Sequence, residues 1–180
     1  LIYVWLIVHA GFGLWRRRHD IDWSPSRWPL IVALGVGVFW LPVAMVSPVW
    51  ATVLIFVMLG GAVTAFLLAP PEDPWLGAAP LGLFAGWLTA ASFVSLGLLA
   101  AGWGYAGQQD AAWIALLAAL VVAAVIQSAG RSPFYGAAVA WALIAVGVQN
   151  LGGSIGLQAL GFGGALVMAA LAFAVGRRRV

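Results

Sequence analysis

The residues of this chain that could engage a ligand are mostly aromatic or neutral, and they centre on one stretch. Leu83 to Ser95, LFAGWLTAASFVS, lies within an uncharged run over residues 80 to 103 that is long enough as a helix to cross a bilayer. At 100° per residue, Phe84, Trp87, Leu88, Ala91 and Ser95 fall on one side, and Gly82, Gly86, Thr89 and Phe93 on the other. The Gly82 and Gly86 pair is a GxxxG spacing that lets a neighbouring helix approach closely, which leaves the Trp87 and Ser95 face free to look into a cavity. From the residues alone, ordinary bundle packing is the simpler reading of Trp87.

Among ionisable residues only His9 is expected at membrane depth, about 10 Å from the Arg16 boundary by helix rise. An intramembrane ionisable group is a functional hypothesis by default. A neutral imidazole bonded to a neighbouring helix is the simpler reading, because a ligand site needs several convergent groups. The sequence has no HExxH, no paired carboxylates, no P-loop and no Ser/His/Asp set at credible depth. Glu72 and Asp73 fall in a Pro-rich loop and read as solvated. Asp110, with Gln108 and Gln109, reads as a helix start before Ala111. Side-chain catalysis and metal binding therefore have almost nothing to work with, and the chain is read as a non-enzyme that requires no cofactor.

Composition sets the class that must position these residues. Of 180 residues, 64% are hydrophobic and 7% charged, against about a quarter charged in a soluble domain. The basic residues cluster beside apolar spans, as topology signals do, so the isoelectric point of about 10.2 does not indicate nucleic acid. With no cysteine, there is no disulfide or thiolate chemistry to read. An all-α integral membrane protein follows, a polytopic helix bundle of about seven transmembrane segments in the lipid bilayer.

Residues 1 to 15 are too short to cross and read as the second half of a span; the chain is taken to begin inside an apolar run. Residues 16 to 28 are a polar connection. Further spans are expected at 29 to 46, with a kink at Pro42, then 49 to 69, 80 to 103, 111 to 129, 134 to 149 and 155 to 176. If they alternate, Arg16 to Arg18, Arg27, Arg131 and Arg177 to Arg179 all fall on one side, which the positive-inside rule makes cytoplasmic together with the C-terminus. Trp15, Trp23, Trp28 and Trp75 then belong to that interface, and Trp50, Trp103 and Trp113 to the opposite one. Trp5, Trp40, Trp87 and Trp141 lie deeper, where an indole N–H needs a partner in the bundle or a ligand pocket.

LFAGWLTAASFVS resembles the last-helix signature of the TspO/MBR family, and more closely that of its longer bacterial relatives, the tryptophan-rich sensory proteins. Gly86, Trp87, Thr89 and Ala91 match in place. Leu1 to Tyr3 resembles the end of the family's Trp-x-Leu-Ile-Tyr helix start, Trp40 and Pro42 resemble the Trp and Pro of the next helix, and PEDPW precedes the signature. The resemblance spans residues 1 to 102. It implies a TspO/MBR-like core lacking its first helix, followed over residues 103 to 180 by a three-helix extension like that of the longer relatives.

That family's cavity binds porphyrins, sterols and synthetic aromatic ligands. By resemblance, Trp87 would stack on a flat ligand, Phe84 stands for a pocket Tyr, Ala91 matches a small residue that leaves space, and Ser95 stands where the family has Asn. Gly37 also replaces a common Asn. Trp87, Phe84, Ala91, Ser95, Trp40 and His9 form the expected ligand site, for a hydrophobic aromatic small molecule such as a porphyrin or haem. The implied function is a membrane-embedded binding or sensory protein in a bacterial cytoplasmic membrane, with a small-molecule transporter or permease as the alternative. The Gly-rich helices offer a surface for a homo-oligomer.

Overall fold

The computed structural model describes residues 1–70 and 72–177, and its described residues form seven α-helices with no strand. They are α1 (Ile2–Trp15), α2 (Ser24–Val46), α3 (Pro48–Leu67), α4 (Ala79–Gly102), α5 (Gln108–Ala129), α6 (Pro133–Gln149) and α7 (Ile155–Arg177). A π-helical turn, Pro74–Ala78, runs directly into α4. Helices are the expected solution for so apolar a chain, because in lipid every backbone N–H and C=O must be satisfied within the protein.

Five helices are long and apolar enough to cross a membrane: α2, α3, α4 with its leading turn, α5 and α7. The other two are shorter. The 14 residues of α1 rise about 21 Å and the 17 of α6 about 26 Å, against a hydrocarbon core of roughly 30 Å. Seven full crossings are therefore more than helix length alone establishes.

Local sequence explains where the helices begin. Pro25, Pro48, Pro80 and Pro133 sit in first turns, where a missing N–H costs nothing. Ser47 and Ser132 cap α3 and α6, each accepting at 3.4 Å from a backbone N–H, of Trp50 and Phe134 respectively. The expected connection over residues 16 to 28 is shorter than its composition suggests, because α2 starts at Ser24. Likewise α5 starts at Gln108, with Gly107 at its cap, so Asp110 lies in the first turn and complements the helix dipole instead of preceding the helix. After α4 and α6 the chain reverses through Gly104 (φ 74°) and Gly152 (φ 77°), a left-handed conformation that glycine adopts without steric cost.

The core joins α3, α4 and α6. Phe66 stacks on Tyr135 with centroids 5.4 Å apart and planes 11° from parallel. Gly82 and Gly86 face α6 as the GxxxG spacing requires. A Cβ at Gly82 would meet the Tyr135 nitrogen at 3.1 Å, and one at Gly86 would meet the Tyr135 carbonyl oxygen and, at 2.9 Å, the Ala138 methyl. Gly161 approaches Gly147 in the same way between α7 and α6. Much of the small-residue surface that suggested oligomer contacts is thus used within the chain.

Polar side chains supplement this packing. The Thr52 and Ser95 hydroxyls meet at 2.8 Å between α3 and α4, Ser92 donates to the Ile55 carbonyl at 3.4 Å, and Gln127 donates to the Ser132 carbonyl at 3.2 Å. No buried side-chain nitrogen or oxygen lacks a hydrogen-bond partner among the described residues.

At the arginine-bearing end, Asp73 is not the solvated loop residue its surroundings suggest. Its carboxylate receives the Arg17 guanidinium at 2.9 Å and the Trp23 indole N–H at 3.1 Å. Trp23, expected in the interfacial belt, is only 1% exposed. The carboxylate satisfies its indole, and His9 stacks on its ring, with centroids 4.9 Å apart and planes 22° from parallel. Glu72 remains exposed. Of the expected Arg177 to Arg179 cluster, only Arg177 is among the described residues, where its guanidinium lies 4.5 Å from the Phe173 ring centroid.

Candidate functional site

The six residues expected to form one ligand site occupy separate environments. Phe84 is wholly buried, between Tyr3 (centroid distance 6.4 Å) and Trp87 (6.5 Å, planes 18° apart). Trp87 is 39% exposed at the edge of this aromatic group. Ala91 is half-buried against the core. Ser95 is bonded to Thr52, and the Trp40 indole donates to the Ala51 carbonyl at 3.1 Å, so both hold α3 in place. His9 lies near the arginine-bearing end, its Nδ1 2.7 Å from the Leu76 carbonyl in the π-helical turn. A carbonyl only accepts, so Nδ1 carries the proton. This hydrogen bond ties α1 to the turn that leads into α4.

A partly open cavity lies on the opposite side of α4. It has a volume of about 250 Å³ and is bounded by α4, α5, α6 and the first residues of α7. The face of α4 that lines it is that of Thr89, Phe93 and Gly97, continuing the side that holds Gly82 and Gly86. Below the cavity those two glycines let α6 close on α4. Along the cavity, Thr89, Phe93 and Gly97 of α4 and Val139, Ala142 and Val146 of α6 line the space. Gly97 remains a tight point, since a Cβ there would meet the Ala115 methyl at 3.0 Å.

Neither α5 nor α6 brings an ionisable group to this space. From α5 come Ala112, Ala115 and Ala119, and from α6 Val139, Ala142 and Val146, each set spaced by three or four residues along one helical stripe. Polar atoms enter at two places only. Thr89 lines one end, and Gln108 and Asn150 line the end beside the loops that follow α4 and α6. An apolar cavity with a few fixed polar groups suits hydrophobic recognition. Among the described residues, no three His, Cys, Asp or Glu side chains come together as a metal site would require.

Sequence reading assigned the Thr89 face to helix packing and missed this cavity. The alanine stripe of α5 was the available signal, because small residues at that spacing leave room on a face that a neighbouring helix must cover. What hid it was the partner: α6 provides the other wall, and no local pattern fixes how far α5 stands from it.

A family described as TSPO-like protein has a sequence model that matches residues 1–176, so the match runs through α5, α6 and most of α7 and beyond the 1 to 102 stretch that carries the resemblance. No curated protein and no solved structure matches the chain.

Proposed function

Because the chain belongs to the TSPO-like protein family, we propose that it is a membrane-embedded binding protein for hydrophobic small molecules, using the cavity between α4 and α7. The observation that carries this reading is the cavity itself, about 250 Å³ of space lined almost entirely by apolar and small side chains inside an integral membrane bundle. Its lining has no ionisable side chain, and in this reading the protein binds its ligand without catalysing a reaction or requiring a cofactor.

All seven helices cross a bacterial cytoplasmic membrane in this reading, α1 and α6 using flanking residues or local thinning to make up their length. Alternating crossings carry the arginines after α1, before α6 and at the end of α7 to one face, the cytoplasmic one. The Gln108 and Asn150 end of the cavity then lies toward the opposite surface.

Photolabelling with a small neutral aryl diazirine tests the site. Carbene insertion is expected at Phe93, Ala115 and Val139, reduced at least fivefold by Ala142→Phe and unchanged by Trp87→Ala on the other side of α4. Insertion confined to outward-facing residues, indifferent to Ala142→Phe, would remove the cavity as the binding site.

A porphyrin is supported at a different place. Phe84 and Trp87 present nearly parallel rings with Trp87 partly open, and a flat aromatic ligand would extend that stack.

A further inference from the structure

Resting on the reading that the α4–α7 cavity is a binding site, we propose that its occupant is a single straight hydrocarbon chain carrying an uncharged, hydrogen-bonding head at Gln108 and Asn150. The dimensions carry the shape. Thr89 and Ala101 both line the cavity and are separated by twelve residues of one helix, about 18 Å. About 250 Å³ distributed beside that length of helix makes the space long and narrow. A polymethylene chain has this elongated shape. A fused-ring macrocycle does not.

The distribution of polar groups sets the direction. At the Thr89 end the hydroxyl is already committed, to the Ala85 carbonyl at 2.9 Å and to the Tyr135 hydroxyl at 2.9 Å. That end offers a tail nothing but apolar contact. At the other end the Asn150 Nδ2 donates to the Val146 carbonyl at 2.9 Å, which leaves the amide oxygen to accept from a ligand. Gln108 is exposed in the first turn of α5 and adds a second amide there. No lysine, arginine or histidine lines the space, so a carboxylate or phosphate head would enter without a counter-charge. A hydroxyl, ester or amide head meets its partners.

Access is lateral. Val94 and Leu98 of α4 line the cavity and are also exposed on the outer surface of the bundle, which in a membrane faces acyl chains. A chain can therefore slide in from the bilayer beside them without leaving an apolar medium. The same chemistry could come from a free long-chain alcohol or from one chain of a bilayer lipid, and the two are separable by experiment.

The test uses the full chain in nanodiscs with linear alcohols, from hexanol to tetradecanol, that carry a diazirine at the far carbon. A chain anchored at Gln108 and Asn150 acts as a ruler. Short probes are expected to label near Ala101 and longer ones progressively nearer Phe93 and Thr89, with labelling falling once the chain exceeds the space. Asn150→Leu should blur this register. Ala142→Phe should cut the labelling at least fivefold and Val125→Ala, on the outward face of α5, should leave it unchanged; Ala142→Leu replaces Ala142→Phe if the larger ring prevents folding, as judged by circular dichroism.

Pyrene in excess should leave the alcohol labelling within twofold. A diazirine diacylglycerol, a bilayer lipid with an uncharged head, labelling the same residues in place of the alcohols identifies a bilayer chain as the source and supports the assignment. Cavity labelling displaced by pyrene, or independent of chain length, overturns the straight-chain proposal while the binding site stands. No cavity labelling by the alcohols, the diacylglycerol or the aryl probe overturns both.

Discussion

The hydroxyl groups of Thr89 and Tyr135 lie 2.9 Å apart, joining α4 to α6 at one end of the cavity. The Thr89 hydroxyl has one proton, and the Ala85 carbonyl 2.9 Å away can only accept it, so Tyr135 donates to Thr89. The two partners are then unequal. Tyr135→Phe leaves Thr89 bonded to Ala85 and should cost about 0.6 kcal/mol, the usual size of an interhelical side-chain bond in a membrane. Thr89→Val strands the buried Tyr135 O–H and should cost about 1–3 kcal/mol. Detergent-induced unfolding of the two variants checks the order, and equal losses would contradict the donor assignment.

Glycines in this bundle should divide by what faces them. At Gly86 an added Cβ would press on the Tyr135 carbonyl and the Ala138 methyl, so Gly86→Ala should force α4 and α6 apart at a cost of about 1–3 kcal/mol. At Gly60 nothing lies within 4 Å, and Gly60→Ala should be neutral or stabilising by up to about 1 kcal/mol through helix propensity. Thermal unfolding in one detergent compares the pair directly.

Asp73 links two connections at the arginine-bearing end, so its variants should loosen both together. Asp73→Asn keeps an acceptor for the Trp23 indole but loses the charge facing Arg17, whereas Asp73→Ala loses both. Amide exchange over residues 73 to 78 should accelerate modestly in the first and more in the second. The hydrogen bond to Asp73 raises the Arg17 guanidinium above its ordinary pKa. A raised folded-state value contributes stability that is present below the unfolded pKa and lost only as pH rises through the folded one. The Arg17 contribution should therefore stay constant through neutral pH, and a fall in amide protection on a small rise above neutrality, once the intrinsic base-catalysed rate is divided out, would contradict it.

His9 bears on the haem question. Its Nδ1 is engaged by Leu76 and its ring lies against Trp23. Changing it to Ala should loosen α1 from the turn before α4, seen as faster exchange at Leu76 to Ala78, while any Soret shift on haem titration is retained. Loss of that shift in a folded His9→Ala protein would assign the imidazole to the ligand.

The helices were legible because each is set by local chemistry. Ser47 with Pro48 and Ser132 with Pro133 mark starts that need no tertiary information, and the apolar runs between them have only helix as an outlet in lipid. The α4–α6 approach was legible too, from Gly82 and Gly86. What local pattern could not supply was which face of α4 meets open space. Trp87 and Thr89 are two residues apart and point to opposite sides, so choosing between them depends on where α5 and α6 stand, a matter of contacts between distant segments. Asp73 was obscure for a related reason: its partners Arg17 and Trp23 lie more than fifty residues away or close to it, and a Pro-rich loop reads as solvated until they are in place.

Trp87 decides whether flat ligands use the outer face of α4. A planar ring stacked on it should gain about 0.5–1.5 kcal/mol beyond area burial, so Trp87→Ala should weaken porphyrin binding several fold. Loss of packing is the rival cause, but Trp87 is 39% exposed and Phe84 beneath it is also covered by Tyr3, so the fold should tolerate the change. Trp87→Phe separates stacking from a polar contact, because it keeps a ring and loses the indole N–H. Partial retention of affinity indicates stacking, and a loss equal to that of Trp87→Ala indicates a hydrogen bond to the ligand. Ala142→Phe, which fills the cavity on the other side, should leave porphyrin affinity unchanged. If porphyrin instead binds Trp87→Ala as tightly as the parent and is lost in Ala142→Phe, both the outer-face stack and the narrow bore inferred for the cavity are wrong.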